Sequence, residues 1–86
     1  IKDCIPVLID QLKTCTSELQ LNWTLTALAN LALKDANQHE MARAIDKLYD
    51  LLSNSTPLLR LQAIKLLINL SCNSYMVPYL LAAKVS

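Results

Sequence analysis

The sequence predicts an all-α solenoid of about two stacked repeats, and three observations carry that expectation. Apolar residues recur at helical spacing along most of the chain, no useful length alternates at the period of two that a strand needs, and the chain repeats itself. Shifted by 40, Ile5, Leu8, Asp10 and Leu12 fall on Ile45, Leu48, Asp50 and Leu52. Shifted by 39, Leu19, Leu28, Asn30 and Leu31 fall on Leu58, Leu67, Asn69 and Leu70, Leu25 meets Ile64, and Met41, Ala42 and Ala44 meet Leu80, Leu81 and Ala83. A fixed period of this size means supersecondary units that bury their apolar faces by stacking on one another.

Each element follows from local chemistry. The first helix, 4–13, has Ile5, Leu8 and Leu12 on one face. The second, 17–33, opens with Ser17 and Gln20 at the spacing of a capping box, in which hydroxyl and amide satisfy two free backbone N–H groups reciprocally. Asp35 with Gln38 marks a third start, for a short helix over 36–42. The fourth, 44–53, repeats the first. Thr56 caps the fifth, 57–72, where Pro57 suits the first helical position because its missing N–H has no intrahelical partner anyway. The sixth, 75–83, repeats the third. Thr14-Cys15-Thr16 and Ser53-Asn54-Ser55 are short polar turns. One domain over 1–86 therefore divides into units at about 4–42 and 43–83. Its expected core is Leu8, Leu12, Leu21, Leu25, Leu28, Leu31, Ile45, Leu48, Leu52, Ile64, Leu67, Ile68 and Leu70.

Composition removes most chemistry. The 86 residues contain no glycine, so neither a GxxxxGK[ST] phosphate loop nor a GxGxxG dinucleotide turn can form. A formal charge of +1 lacks the clustered basic surface that nucleic acid requires. Cys4, Cys15 and Cys72 form no CxxC pair, and the lone His39 completes no Cys/His zinc set, so reduced structural thiols are expected, as in the cytosol or nucleus. His39 also lacks the second histidine of an HExxH pair, and Cys72 falls at a helix carboxy end, whose dipole disfavours a thiolate. No catalytic residue, metal ligand or cofactor is expected. Asn22, Asn54 and Asn69 open Asn-x-Ser/Thr triplets, two of them inside helical patterns, so glycosylation is not expected. The longest charge-free stretch, 66–83, is broken by Ser71-Cys72-Asn73-Ser74 and Pro78, so no membrane contact is expected of these residues. The chain starts at Ile1 without Met, which reads as a piece of something longer.

The wording of the repeats identifies the type. Ile5-Pro6-Val7-Leu8-Ile9 resembles the Ile-Pro-x-Leu-Val opening of the second armadillo helix, and Ala27-Leu28-Ala29-Asn30-Leu31 resembles the Ala-Leu-x-Asn-Leu core of the third, repeated as Leu66-Leu67-Ile68-Asn69-Leu70. The resemblance covers nearly the whole chain and implies a right-handed α-solenoid of about two armadillo-type repeats from a longer array. Arg43-Ala44-Ile45-Asp46 departs from the family's usual Gly-Ala-Ile-Pro, which implies a looser or more HEAT-like turn. A narrower likeness lies in Ala36-Asn37-Gln38-His39-Glu40-Met41, in Lys65 to Ser71 and in Met76-Val77-Pro78-Tyr79-Leu80-Leu81, which is similar to the X-linked armadillo-repeat-containing family. That likeness implies an adaptor on the cytosolic face of the outer mitochondrial membrane, held by an anchor outside these residues.

The armadillo resemblance also implies a site. Third helices of the family line a concave groove in which a repeated Asn clamps the backbone of an extended peptide, and Asn30 and Asn69 stand at those positions. At 100° per residue Thr26, Trp23 and Leu19 share the face of Asn30, and Lys65, Gln62 and Leu58 share that of Asn69. Trp23, Thr26, Asn30, Gln62, Lys65 and Asn69 are thus the candidate groove for a protein or peptide segment. Relatives that read basic import signals carry Trp four residues before the Asn. Thr26 and Lys65 stand there instead, and Lys65 opposes a cationic peptide. Each residue also has a plainer reading. Asn30 and Asn69 bond the neighbouring repeat's backbone, Trp23 fills space beside Ala27, and Lys65 is a solvated charge. Leu80-Leu81-Ala82-Ala83 at one end, and Ile1, Cys4, Ile5 and Val7 at the other, leave apolar ends that predict self-association or docking to further repeats. The expected function is a non-enzymatic interaction module. A spacer that packs through its ends, and a helical accessory to an enzyme elsewhere in the parent chain, are the alternatives.

Overall fold

A computed structural model describes residues 4–85, with side chains as far as Ala83. Six α-helices follow in order: α1 Cys4–Thr14, α2 Glu18–Leu31, α3 Asp35–Met41, α4 Ile45–Asn54, α5 Pro57–Ser71 and α6 Val77–Val85, with a 3-10 turn at Ala42–Ala44. Among the described residues there is no strand. Ile1, expected at the amino-terminal apolar end, lies outside the described residues.

The expected capping chemistry forms only at α5. Thr56 holds an extended backbone and its hydroxyl accepts the Leu59 N–H at 3.4 Å, with Pro57 first in the helix. Ser17 has the same extended backbone before α2, but its side chain makes no capping bond. The Gln20 carbonyl that would complete the box instead takes the Cys15 thiol at 2.6 Å. At α3 the residue before the helix is Lys34, Asp35 is already helical, and Gln38 turns inward rather than back to the start.

Helix ends follow from the missing glycine. A helix commonly ends on a left-handed residue, usually Gly, that satisfies its last carbonyls. Among the described residues no φ is positive. α2 therefore stops two residues earlier than its apolar pattern and tightens into i→i+3 turns, Leu33 N–H to Asn30 O and Lys34 N–H to Leu31 O, both at 3.3 Å. Side chains cover what remains: Asn37 Nδ2 donates to Leu31 O at 3.0 Å and Gln38 Nε2 to Ala32 O at 2.7 Å. The 3-10 turn lies where Arg43-Ala44-Ile45-Asp46 departs from the family wording, and it joins α3 to α4 without a left-handed residue.

Packing repeats as the sequence does. α1 lies on α2 and α4 on α5, while α2 and α5, at equivalent places in the two units, form the principal contact between them. α6 folds back on α4, where Tyr49 Oη donates to Leu80 O at 2.9 Å. The Cα atoms span 31 × 31 × 18 Å, about two helix layers thick. The core runs unbroken through both units, from Ile5, Ile9 and Leu12 of α1 through Leu25 and Leu28 to Ile45, Leu48, Leu66 and Leu70. Most of the expected core is buried or half-buried, with two exceptions. Ile64 is 42% and Ile68 55% exposed, because α5 is apolar all round and its inward face is Leu59, Ala63, Leu66 and Leu70. Met41 and Met76 are buried although neither carried an expectation.

Candidate partner-binding surface

The site builds from α2 and α5, which lie against each other and leave equivalent positions open. Leu19 and Leu58, and Thr26 and Lys65, are exposed pairs related by the 39-residue shift, and Leu61 adds an exposed apolar side chain on α5. The surface is an apolar ridge carrying one cation. Among the described residues Lys65 has no salt bridge, and the one ion pair is Lys47 with Asp50 at 3.8 Å.

The six candidate residues do not share one environment. Thr26 and Lys65 sit on the open ridge. The Thr26 hydroxyl donates to Asn22 O at 2.8 Å, which leaves its methyl and the acceptor side of its oxygen open to a partner. Trp23 is 63% exposed at the edge of α2, beside a cleft of about 510 Å³ lined by Gln11, Thr14, Cys15, Leu19, Gln20 and Thr24. A large aromatic this open fills no space between repeats in the chain as described. Gln62 is half-buried.

The two asparagines, identical in sequence register, differ in what they touch. Asn69 Nδ2 donates to Ala29 O of α2 at 2.9 Å, joining the two units. Ala29 O is one of the last carbonyls of α2, left open because the Leu33 N–H turns to Asn30 instead. The Asn69 amide therefore holds the helices together, the plainer of its two readings. Asn30 is exposed, and its side chain makes no hydrogen bond within the described residues.

Three further polar residues were not expected in the roles the structure gives them. Gln38, 2% exposed, donates to Ala32 O at 2.7 Å and Asn69 O at 3.3 Å and accepts from Asn73 Nδ2 at 2.9 Å, so one buried amide ties the ends of α2 and α5 to the turn before α6. The repeat gave no signal for this: a shift of 39 places Asn37 on buried Met76, but Gln38 falls on exposed Val77. Asn22 stands where the second unit has Leu61, and its Oδ1 is buried without a hydrogen bond. His39 meets Tyr79 edge-on, ring centroids 6.3 Å apart. No cluster of three or more His, Cys, Asp or Glu side chains among the described residues could hold a metal. No helix among them is long and apolar enough to cross a membrane.

Helices stacked at a 39–40 residue period, with one helix of each unit packed on its equivalent, define a helical-repeat solenoid. The chain matches the Armadillo-like family over residues 1–86 and belongs to it. No curated protein and no solved structure matches it. Armadillo-like domains are commonly used for protein interaction.

Proposed function

We propose that this chain is an adaptor or scaffold module that binds a segment of a protein partner along α2 and α5 and performs no chemistry. The observation that carries the reading is the paired exposure of Leu19 with Leu58 and Thr26 with Lys65 on two helices packed side by side. Equivalent positions on adjacent helices form a ladder, which suits an extended segment whose own side chains repeat. Exposed Leu58 and Leu61 supply apolar contact, and Lys65 favours a partner with a carboxylate. The finer likeness to X-linked armadillo-repeat-containing proteins supports a place on the cytosolic face of the outer mitochondrial membrane, in mitochondrial positioning or signalling.

The test is quantitative affinity capture with the chain and with a Trp23→Ala, Lys65→Glu variant, both checked for helicity by circular dichroism. Asn69 is left intact because its amide joins the units. Loss of a specific partner from the variant supports the ridge. Retention of every partner refutes it and leaves the spacer reading.

A further inference from the structure

A threonine hydroxyl joins the two units at the opposite end of their seam from Asn69. Thr56, the residue before α5, donates to Glu18 Oε2 in the first turn of α2 and accepts the Leu59 N–H at 3.4 Å. The hydroxyls of Thr14, Thr24, Thr26 and Ser71, by contrast, turn back onto carbonyls of their own helices. Ser17, the mate of Thr56 at a shift of 39, makes no capping bond, so the contact is particular to this seam. Thr56 is also the one hydroxyl residue in the sequence that a proline follows, since Pro6 follows Ile5 and Pro78 follows Val77. Both Thr56 and Pro57 are exposed. The backbone before the helix is extended, with φ −137° and ψ −179° at Ser55 and φ −72° and ψ 160° at Thr56, as a residue before proline prefers.

We propose that Thr56 is a phosphorylation site for a proline-directed protein kinase, and that the phosphate unlocks the start of α2 from the start of α5. Thr56 Oγ1 attacks the γ-phosphorus of ATP, the bond from that phosphorus to the bridging oxygen breaks, ADP leaves with the bonding pair, and the hydroxyl proton passes to the kinase's catalytic carboxylate. Pro57 brings no N–H into the substrate groove, which suits an enzyme that offers no acceptor there. The product splits the two roles of the hydroxyl. As an acceptor the phosphate improves on it, because its oxygens stand beside the free N–H groups of α5 and the helix dipole favours their charge. As a donor it is lost, and close to two negative charges now face the Glu18 carboxylate. Neighbouring charges deepen the effect. Glu18, Asp50, Lys47 and Thr56 line one cleft of about 330 Å³, in which Lys47 is already paired with Asp50 at 3.8 Å. Arg60, whose Nε donates to Ser55 O at 3.0 Å, lies one turn into α5 and draws the phosphate away from α2. One covalent mark thus loosens the seam at one end while Asn69 holds the other. The inference stands on this contact and does not rest on the ridge proposed above.

The test is phosphorylation of the 86-residue chain by a mitogen-activated protein kinase with Mg-ATP, read by fragment mass spectrometry and then by amide hydrogen exchange in NMR. One phosphate is expected, on Thr56, and none on Thr56→Val. Pro57→Ala, which keeps the acceptor hydroxyl and a residue suited to the helix start, is expected to lose it as well. In the phosphorylated chain the Leu21 amide, which makes the first bond of α2 to Ser17 O at 2.9 Å, should exchange about 3- to 10-fold faster, while the Leu59 and Arg60 amides at the start of α5 hold or slow. Glu18→Gln separates repulsion from mere loss of the hydroxyl. Its amide donates to a phosphate, so phosphorylation of this variant should leave the Leu21 amide unchanged. If circular dichroism finds Thr56→Val unfolded, the fragment masses and Pro57→Ala decide the site. No phosphate, or a phosphate only on another residue of the folded chain, overturns the proposal. So does an unchanged Leu21 amide, faster exchange at Leu59, or an equal rise in Glu18→Gln.

Discussion

Asn69 and Asn30 stand in the same register of the same motif, so truncating each in turn separates a bond between units from a surface amide. Asn69→Ala removes the donor to Ala29 O, a bond worth about 0.5–1.5 kcal/mol net, and leaves a half-buried carbonyl without a partner, which costs about 1–3 kcal/mol. Alanine regains roughly 0.5 kcal/mol in helix propensity, so the expected net loss is about 2 kcal/mol. For a domain of this size that lowers the melting temperature by roughly 8–16 °C. Asn30→Ala gains the same propensity and loses no hydrogen bond within the chain, so its stability should stay within about 0.5 kcal/mol of wild type or rise slightly. The propensity term cancels between the two variants, and their difference reads the inter-unit bond. Thermal and urea unfolding followed by circular dichroism at low concentration, where association is absent, gives both values. Equal effects at the two positions, or a neutral Asn69→Ala, would refute the structural role assigned to the second asparagine.

Gln38→Leu keeps the volume but strips partners from Ala32 O, Asn69 O and Asn73 Nδ2, and is expected to cost about 2–3 kcal/mol in urea unfolding despite adding apolar surface. Leu66→Ala, at a fully buried position between the units, should cost about 2–5 kcal/mol by the same measurement, whereas Ile64→Ala, at its exposed neighbour, should cost less than about 1 kcal/mol. Tyr49→Phe removes the hydroxyl that holds Leu80 O, and hydrogen exchange should speed up in α6 while α1 and α2 keep their protection.

The fold was legible because its information is local and written twice. Ile5, Leu8 and Leu12 mark one face of α1, Ile45, Leu48 and Leu52 mark the same face of α4, and each copy corroborates the other. The inward face of α5 was not legible. Leu58, Leu59, Leu61, Ile64, Leu66, Leu67, Ile68 and Leu70 surround the helix, and periodicity cannot choose a side when every side is apolar. The alignment with α2 then misled, because Leu25 is buried by a second unit while its mate Ile64 has none to bury it. Ser17 failed as a capping residue for a related reason. Spacing shows that a box could form, but Gln20 has a competing partner in Cys15 that only the folded turn brings near. Of the candidate site, the shared face of α2 was readable from 100° steps, whereas the engagement of Asn69 depends on which carbonyl the glycine-free end of α2 leaves open.

The seam between the units also bears on how such a gene can change length. Each unit presents on one side the shape its other side accepts, so an in-frame duplication of one period at the Ser53-Asn54-Ser55 turn would insert a unit whose two borders are already fitted. Such an event calls for substitution only where equivalent positions differ, as at Leu21 and Arg60. Lineages can therefore lengthen or shorten the array chiefly by recombination, while point mutation acts separately on the exposed ladder, so that reach and recognition evolve independently.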